Sequence, residues 1–186
     1  MLPESLHAIT EHVRARSGIV LDESKAYMLE TRLAPILRRE GLPSLDDLAR
    51  RLRMARQEEL GRVVVEALTT NESLFFRDGH PFDHLARALP RLAARLPAGQ
   101  PVRVWSAACS SGQEAYSVAM LATENAAALG GRAVRILGTD LSREMVERAG
   151  RGAFTRFEVQ RGLSVHRLLR FFRQEGEQFL VKEELR

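Results

Sequence analysis

The chain has one cysteine, two lysines and no long apolar run, and each shortage closes off a class of protein. A lone Cys109 forms neither an internal disulfide nor a multi-cysteine zinc centre, and no metal site is expected. A reducing cytoplasm is the compartment this cysteine usage suggests. No apolar stretch approaches the roughly 18 residues of a membrane span, and the first residues lack the basic-then-apolar pattern of a secretory signal, so membrane insertion is not expected. The Gly-x-Gly-x-x-Gly spacing of a dinucleotide turn is also absent. With only Lys25 and Lys182 as lysines, the positive charge is nearly all arginine. The net charge of +4 is too mild and too dispersed to argue for nucleic acid.

What is present begins with helical periodicity. Residues 4–17 place Leu6, Ile9 and Val13 on one face before Gly18 stops the helix. A second helix is expected to open at Asp22, with Met28, Leu29, Leu33, Ile36 and Leu37 as its buried stripe. Pro35 should kink or break it, and Gly41 and Pro43 should end it. Ser44, followed by Asp46 and Asp47, caps a third helix carrying Leu45, Leu48 and Leu52. A fourth, from about 57 to 68, buries Leu60, Val63, Val64 and Leu68. Four short amphipathic helices read as a small all-α domain. Its arginines, Arg32, Arg38 and Arg39 among them, are read first as a solvated basic face and second as a docking surface.

Residues 69–78 run from a polar cluster straight into Leu74, Phe75 and Phe76. A helix end with Asn71 in a left-handed cap and a contribution to a site weigh equally here. Residues 81–96 read as a helix with Phe82, Leu85, Leu89 and Leu92 inward and Arg87, Arg91 and Arg95 outward.

The stretch from Val102 to Ser117 organises the rest. A β-forming run containing Val102, Val104 and Trp105 leads into small residues, Ala107, Ala108, Ser110, Ser111 and Gly112, that admit a ligand close to backbone. Tyr116, Met120 and Leu121 then recur at helical spacing up to Gly130 and Gly131, so the turn ends at a helix N-terminus, which favours anionic groups. Ser111 and Glu114 also fit a capping box. A second strand over 133–137, the turn from Gly138 to Ser142 and a helix with Met145, Val146 and Ala149 complete a strand–helix–strand–helix order, hence a parallel sheet. Ligands sit beyond the carboxyl ends of such strands, where Asp140 is placed to accept both hydroxyls of a ribose. Residues 164–172 read as a short helix and 178–182 as a strand after Gly176.

Together these motifs resemble the CheR-type protein-glutamate O-methyltransferases of chemotaxis receptors, which use S-adenosyl-L-methionine. The similarity runs through Gly18-Ile-Val-Leu, residues 25–33, 69–77, 104–117 and 138–142, and Arg161-Gly-Leu163. Ser73 stands where the family often has threonine, and Gln113 and Ala115 replace a glutamate and a proline. The resemblance implies an α plus α/β fold. A helical domain over 1–70 precedes a partial Rossmann-like class I methyltransferase domain over 71–186, whose residues 164–186 begin an antiparallel β-subdomain. The family continues past the point where this sequence stops, so a fragment or a shortened member is expected.

The resemblance further implies that Asn71, Ser73 and Arg77 touch the cofactor or border the reaction centre, Arg77 being the catalytic candidate. It sets Ala107, Gly112 and Glu114 against the cofactor, with Asp140 on its ribose and S-adenosyl-L-homocysteine as product. The implied partner is the acidic, cytoplasmic helical region of methyl-accepting receptors, docked on Arg32, Arg38 and Arg39, in signal adaptation. The alternative is a non-catalytic module that binds cofactor or receptor.

Overall fold

Aliphatic periodicity becomes four helices in the first 70 residues of the computed structural model, which describes residues 1–22 and 25–186. These helices are α1 (Pro3–Ser17), α2 (Ala26–Glu40), α3 (Leu45–Leu52) and α4 (Glu58–Leu68). Gly18 ends α1 at φ 74, its N–H donating to the Arg14 carbonyl at 2.8 Å. Ser44 caps α3 by accepting from the Asp47 N–H at 3.2 Å. Ile9, Val13, Leu29, Leu33, Leu48 and Val64 meet in a core of aliphatic side chains. Together they make one compact unit, Met1–Thr70.

Two expectations for α2 need correction. The helix starts at Ala26 with Lys25 at its cap, and Asp22 accepts the Lys25 N–H on its carbonyl at 3.0 Å. Glu23 and Ser24 lie outside the described residues. Pro35 does not break α2, which runs on to Glu40. It sits on the exposed side, where a carbonyl deprived of its usual donor is open to solvent, while Leu33 and Ile36 hold the helix to the core.

The second unit, Asn71–Arg186, opens with α5 (His80–Arg95), then β1 (Val102–Ala107), α6 (Gln113–Glu124), β2 (Val134–Thr139) and α7 (Arg143–Arg151). β1 and β2 pair in parallel, from Val102 opposite Val134 to Ala107 opposite Thr139. Strand alternation turns Val102, Val104 and Val134 toward Leu89, Ala93 and Leu121 of the flanking helices. The other face carries Trp105 and Leu137, 70 % and 64 % exposed. Leu92, expected inward, is 47 % exposed; the face that starts at Phe82 and Leu89 passes to Ala93, four residues on, and leaves Leu92 about a quarter-turn away. α6 stops at Glu124 rather than at the two glycines, because the Asn125 amide folds back onto the Leu121 carbonyl at 2.8 Å and the chain continues as turns.

An antiparallel sheet follows. β3 (Ala153–Thr155), α8 (Arg156–Gln160), α9 (Val165–Phe171), β4 (Phe172–Glu175) and β5 (Gln178–Val181) give the strand order β3-β5-β4, before a 3-10 turn at Glu183–Leu185. The sheet thus draws in Ala153–Thr155, upstream of residue 164. Sequence reading found only β5, since strands of three and four residues are too short to show alternation. Phe75, Phe154, Phe171, Phe172 and Phe179 cluster beneath it. The Phe75 ring meets Phe154 edge-on at 4.9 Å and Phe172 at 5.7 Å. Among the described residues no helix is long and apolar enough to cross a membrane.

Candidate functional site

The parallel pairing brings the carboxyl ends of β1 and β2 side by side, and the two loops that leave them form one polar corner. The Cys109 N–H donates to the Thr139 carbonyl at 2.9 Å, carrying the ladder a step beyond β1. The chain then turns through left-handed backbone at Ala108 (φ 61), Ser110 (φ 50) and Gly112 (φ 95). Gly112 is required twice over, because a Cβ there would also stand 2.9 Å from that of Ala149 on α7. At Ala108 and Ser110 such backbone costs about 1–3 kcal/mol each. Polar contacts offset it: the Ser110 N–H donates to Asp140 Oδ2 at 2.8 Å, and the Ser110 hydroxyl donates to the Asn71 carbonyl at 2.9 Å.

The capping box does not form. Ser111 donates to Gln113 Oε1 at 2.9 Å, and Glu114 turns back to accept from the Ser106 hydroxyl at 2.6 Å. α6 therefore begins at Gly112 without a side-chain cap. Asp140 is held from two sides, since its Oδ1 accepts the Ser142 N–H at 2.9 Å while Oδ2 takes Ser110. Each carboxylate oxygen keeps a further lone pair, so a pair of hydroxyls still finds acceptors there. Cys109 lies beneath this corner, where Gly138 leaves it room; a Cβ at 138 would stand 3.1 Å from its sulfur. Burial pushes the thiol pKa up, and the Asp140 and Glu114 carboxylates push it further, so Cys109 stays protonated and serves as packing.

Residues 71–78 cross the same corner. Ser73, Arg77, Ala108 and Glu114 line a cleft of about 330 Å³ with Leu74 and Phe82. The Arg77 side chain is 56 % exposed; it lies 4.0 Å from Asp78 and donates at 3.5 Å to the Glu72 carbonyl, contacts loose enough to yield to a ligand. Asn71 joins through its carbonyl bond to Ser110, and with Ser73 it also borders a neighbouring hollow of about 360 Å³ that includes Gln113, Arg148 and Arg161. Asn71 is not the left-handed residue of this loop: Phe76 (φ 49) and Asp78 (φ 64) are. Asp140 reaches the corner through Ser110 rather than as part of the Arg77 cleft wall. Gly112 faces a third hollow of about 280 Å³ with Cys109 and Tyr116. Ala107 ends β1, exposed.

The three arginines singled out for docking belong to the helical unit. Arg32 donates to the Thr69 carbonyl at 2.8 Å and is tied into its own unit. Arg39 pairs with Glu40 at 3.0 Å, and Arg38 is exposed.

Sequence reasoning takes Ser110 only as a small residue of the turn and misses how Ser106, Ser110 and Ser117 hold this corner. Ser106 orients Glu114, Ser110 links Asp140 to Asn71, and Ser117 accepts the Phe76 N–H at 3.0 Å. One signal was there to be read: Gln113 and Ser117 fall four apart on the buried face of α6, where polar side chains need partners. The donor set fits a molecule bearing a diol, an ammonium and a carboxylate. Asp140 and Glu114 supply two carboxylates, Arg77 supplies a guanidinium, and Ala108, small and on the wall of the Arg77 cleft, leaves room beside the backbone, whereas the space at Gly112 is taken by Ala149.

Residues 71–186 match the family model described as CheR methyltransferase, SAM binding domain, and residues 4–69 match CheR methyltransferase, all-alpha domain. The chain is 41 % identical over 168 residues to the chemotaxis protein methyltransferase of Vibrio parahaemolyticus, covering 89 % of this chain and 60 % of that protein. It is 42 % identical over 163 residues to chemotaxis protein methyltransferase 1 of Pseudomonas aeruginosa, covering 86 % and 59 %. The chemotaxis protein methyltransferase of Escherichia coli K12 shares 34 % identity over 164 residues, covering 88 % and 54 %. The chain thus spans about 60 % or less of the length of these curated relatives.

Proposed function

The chain belongs to the CheR methyltransferase family, and from that premise we propose that it transfers methyl groups from S-adenosyl-L-methionine to glutamate side chains on the cytoplasmic helical region of chemotaxis receptors. The observation that carries this reading is one cleft, at the carboxyl end of β1, that gathers Ser73, Arg77 and Glu114 beside the corner where Asp140 is fixed. When bound, S-adenosyl-L-methionine supplies an electrophilic methyl group on a sulfonium centre.

The chain's own residues do the rest. Asp140 holds the ribose hydroxyls, and Ser110 and Ser142 keep its oxygens aimed. Glu114, oriented by Ser106, faces the cofactor from the start of α6, and Asn71 and Ser73 border it. Arg77 aligns a carboxylate by a two-pronged contact, either that of the acceptor or the cofactor's own. A glutamate carboxylate, of pKa about 4.3, is already ionised at pH 7, so the site needs no strong base. Holding the reacting atoms in line is the main contribution asked of it, worth roughly 7–11 kcal/mol in favourable cases. The exposed Arg38, with Arg39, suits the steering of an acidic helical bundle. The setting is the cytoplasm.

Incubation with methyl-labelled cofactor and a receptor cytoplasmic fragment tests the reading. Base-labile methyl ester on the receptor is expected. Cofactor binding with no label transferred favours the binding-module alternative.

A further inference from the structure

Arg167, on α9, lies 90 residues beyond Arg77 in the chain and yet closes over its neighbour. Its Nε and a terminal nitrogen donate to the two carboxylate oxygens of Glu124 at 2.9 and 2.8 Å, joining α9 to the end of α6. Its guanidinium carbon stands 3.8 Å from the centroid of the Phe76 ring. Both partners of the ion pair are largely withdrawn from water, at 27 % and 21 % exposure. Phe76 is the left-handed residue directly before Arg77; its N–H donates to Ser117, and its ring also meets Phe82 at 5.1 Å.

We propose that Arg167 is a positioning residue for Arg77. Glu124 fixes the edge of the guanidinium, the guanidinium face pins the Phe76 ring, and pinned Phe76 sets the direction in which Arg77 leaves the backbone. The use of edge and face at once is open to arginine and closed to lysine, whose ammonium is a point charge. An ion pair that served stability alone would need no ring beneath it. Without the clamp, left-handed backbone at a phenylalanine relaxes toward commoner conformations, and Arg77 swings with it. What Arg77 then does for a ligand rests on the function proposed above; the clamp itself rests on the distances.

The test uses the full chain and four variants, Arg167→Met, Arg167→Lys, Glu124→Gln and Arg77→Ala, with Arg167→Met also combined with Arg77→Ala. Amide hydrogen exchange is read first. In Arg167→Met the Phe76 amide should exchange about tenfold faster while the amides of β1 and β2 keep their protection. Arg167→Lys and Glu124→Gln should move in the same direction by less. Titration with S-adenosyl-L-homocysteine is read second. Arg167→Met should weaken binding in the wild-type background and add nothing in the Arg77→Ala background.

Unchanged exchange at Phe76 overturns the proposal, as do affinity losses that simply add in the double variant. Absence of binding by the folded wild type, with Phe76 still released in Arg167→Met, contradicts the cofactor reading and supports the clamp alone.

Discussion

The two units hold themselves together by different means. In residues 1–70 each helix brings its own aliphatic stripe, and Ile9, Val13, Leu33, Leu48 and Val64 close one core in which α1 packs on α3 and α4, and α2 on α4. In residues 71–186 the site loop is secured from far away. Phe75 is fully buried against Phe154 and Phe172, and Gly162 comes so close that a Cβ there would stand 1.8 Å from the Phe75 carbonyl oxygen. The difference teaches where function and stability are joined: the helical core stabilises a scaffold, whereas the aromatic cluster stabilises the loop that carries Ser73 and Arg77.

The sharpest way to break this comparison is Phe75→Ala. Loss of a fully buried ring costs about 3–5 kcal/mol. Hydrogen exchange should show that cost within residues 71–186, together with lost binding of S-adenosyl-L-homocysteine; equal loosening of residues 1–70 would erase the distinction. Leu48→Ala is the matching probe of the other unit. It should cost roughly 2–5 kcal/mol, seen as faster exchange in α1 and α3, and leave cofactor affinity within about twofold. A large fall in affinity would show that the helical core also sets the site.

Asp140→Ala sharpens the comparison without touching either core. Removing hydrogen bonds from a charged acceptor, about 1.5–3 kcal/mol, should weaken binding by roughly ten- to a hundredfold in titration. An unaltered dissociation constant removes Asp140 from the ribose role. The smallest effect belongs to the helical surface. Arg38→Glu with Arg39→Glu should weaken association with a receptor fragment by about tenfold at low salt and much less at high salt. Insensitivity to both the swap and the salt would return those residues to an ordinary solvated face.

How legible each region is follows from the same contrast. The four helices could be read because the period of 3.6 is written locally in Leu, Ile and Val, with Gly18, Gly41 and Ser44 as punctuation. Asp22 suits a cap by residue type, but α2 starts four residues later, at Ala26. β1, β2 and their parallel order were legible from composition and spacing, and so was the corner between Ala107 and Asp140. The partners of Glu114 were not. A capping box and a bond to Ser106 are equally compatible with the sequence, and only the pleat of β1, which turns Ser106 toward α6, decides between them. β3 and β4 stayed hidden because their pairing depends on β5 rather than on any pattern of their own. Arg167 over Phe76 was invisible for the same reason.

The most direct test of the central claim is calorimetric titration of the 186-residue chain with S-adenosyl-L-homocysteine, beside Asp140→Ala. If the corner between β1, β2 and residues 71–78 is a cofactor site, the wild type binds in the micromolar range and the variant binds at least tenfold more weakly. A folded wild type that releases no heat and shows no binding contradicts the account.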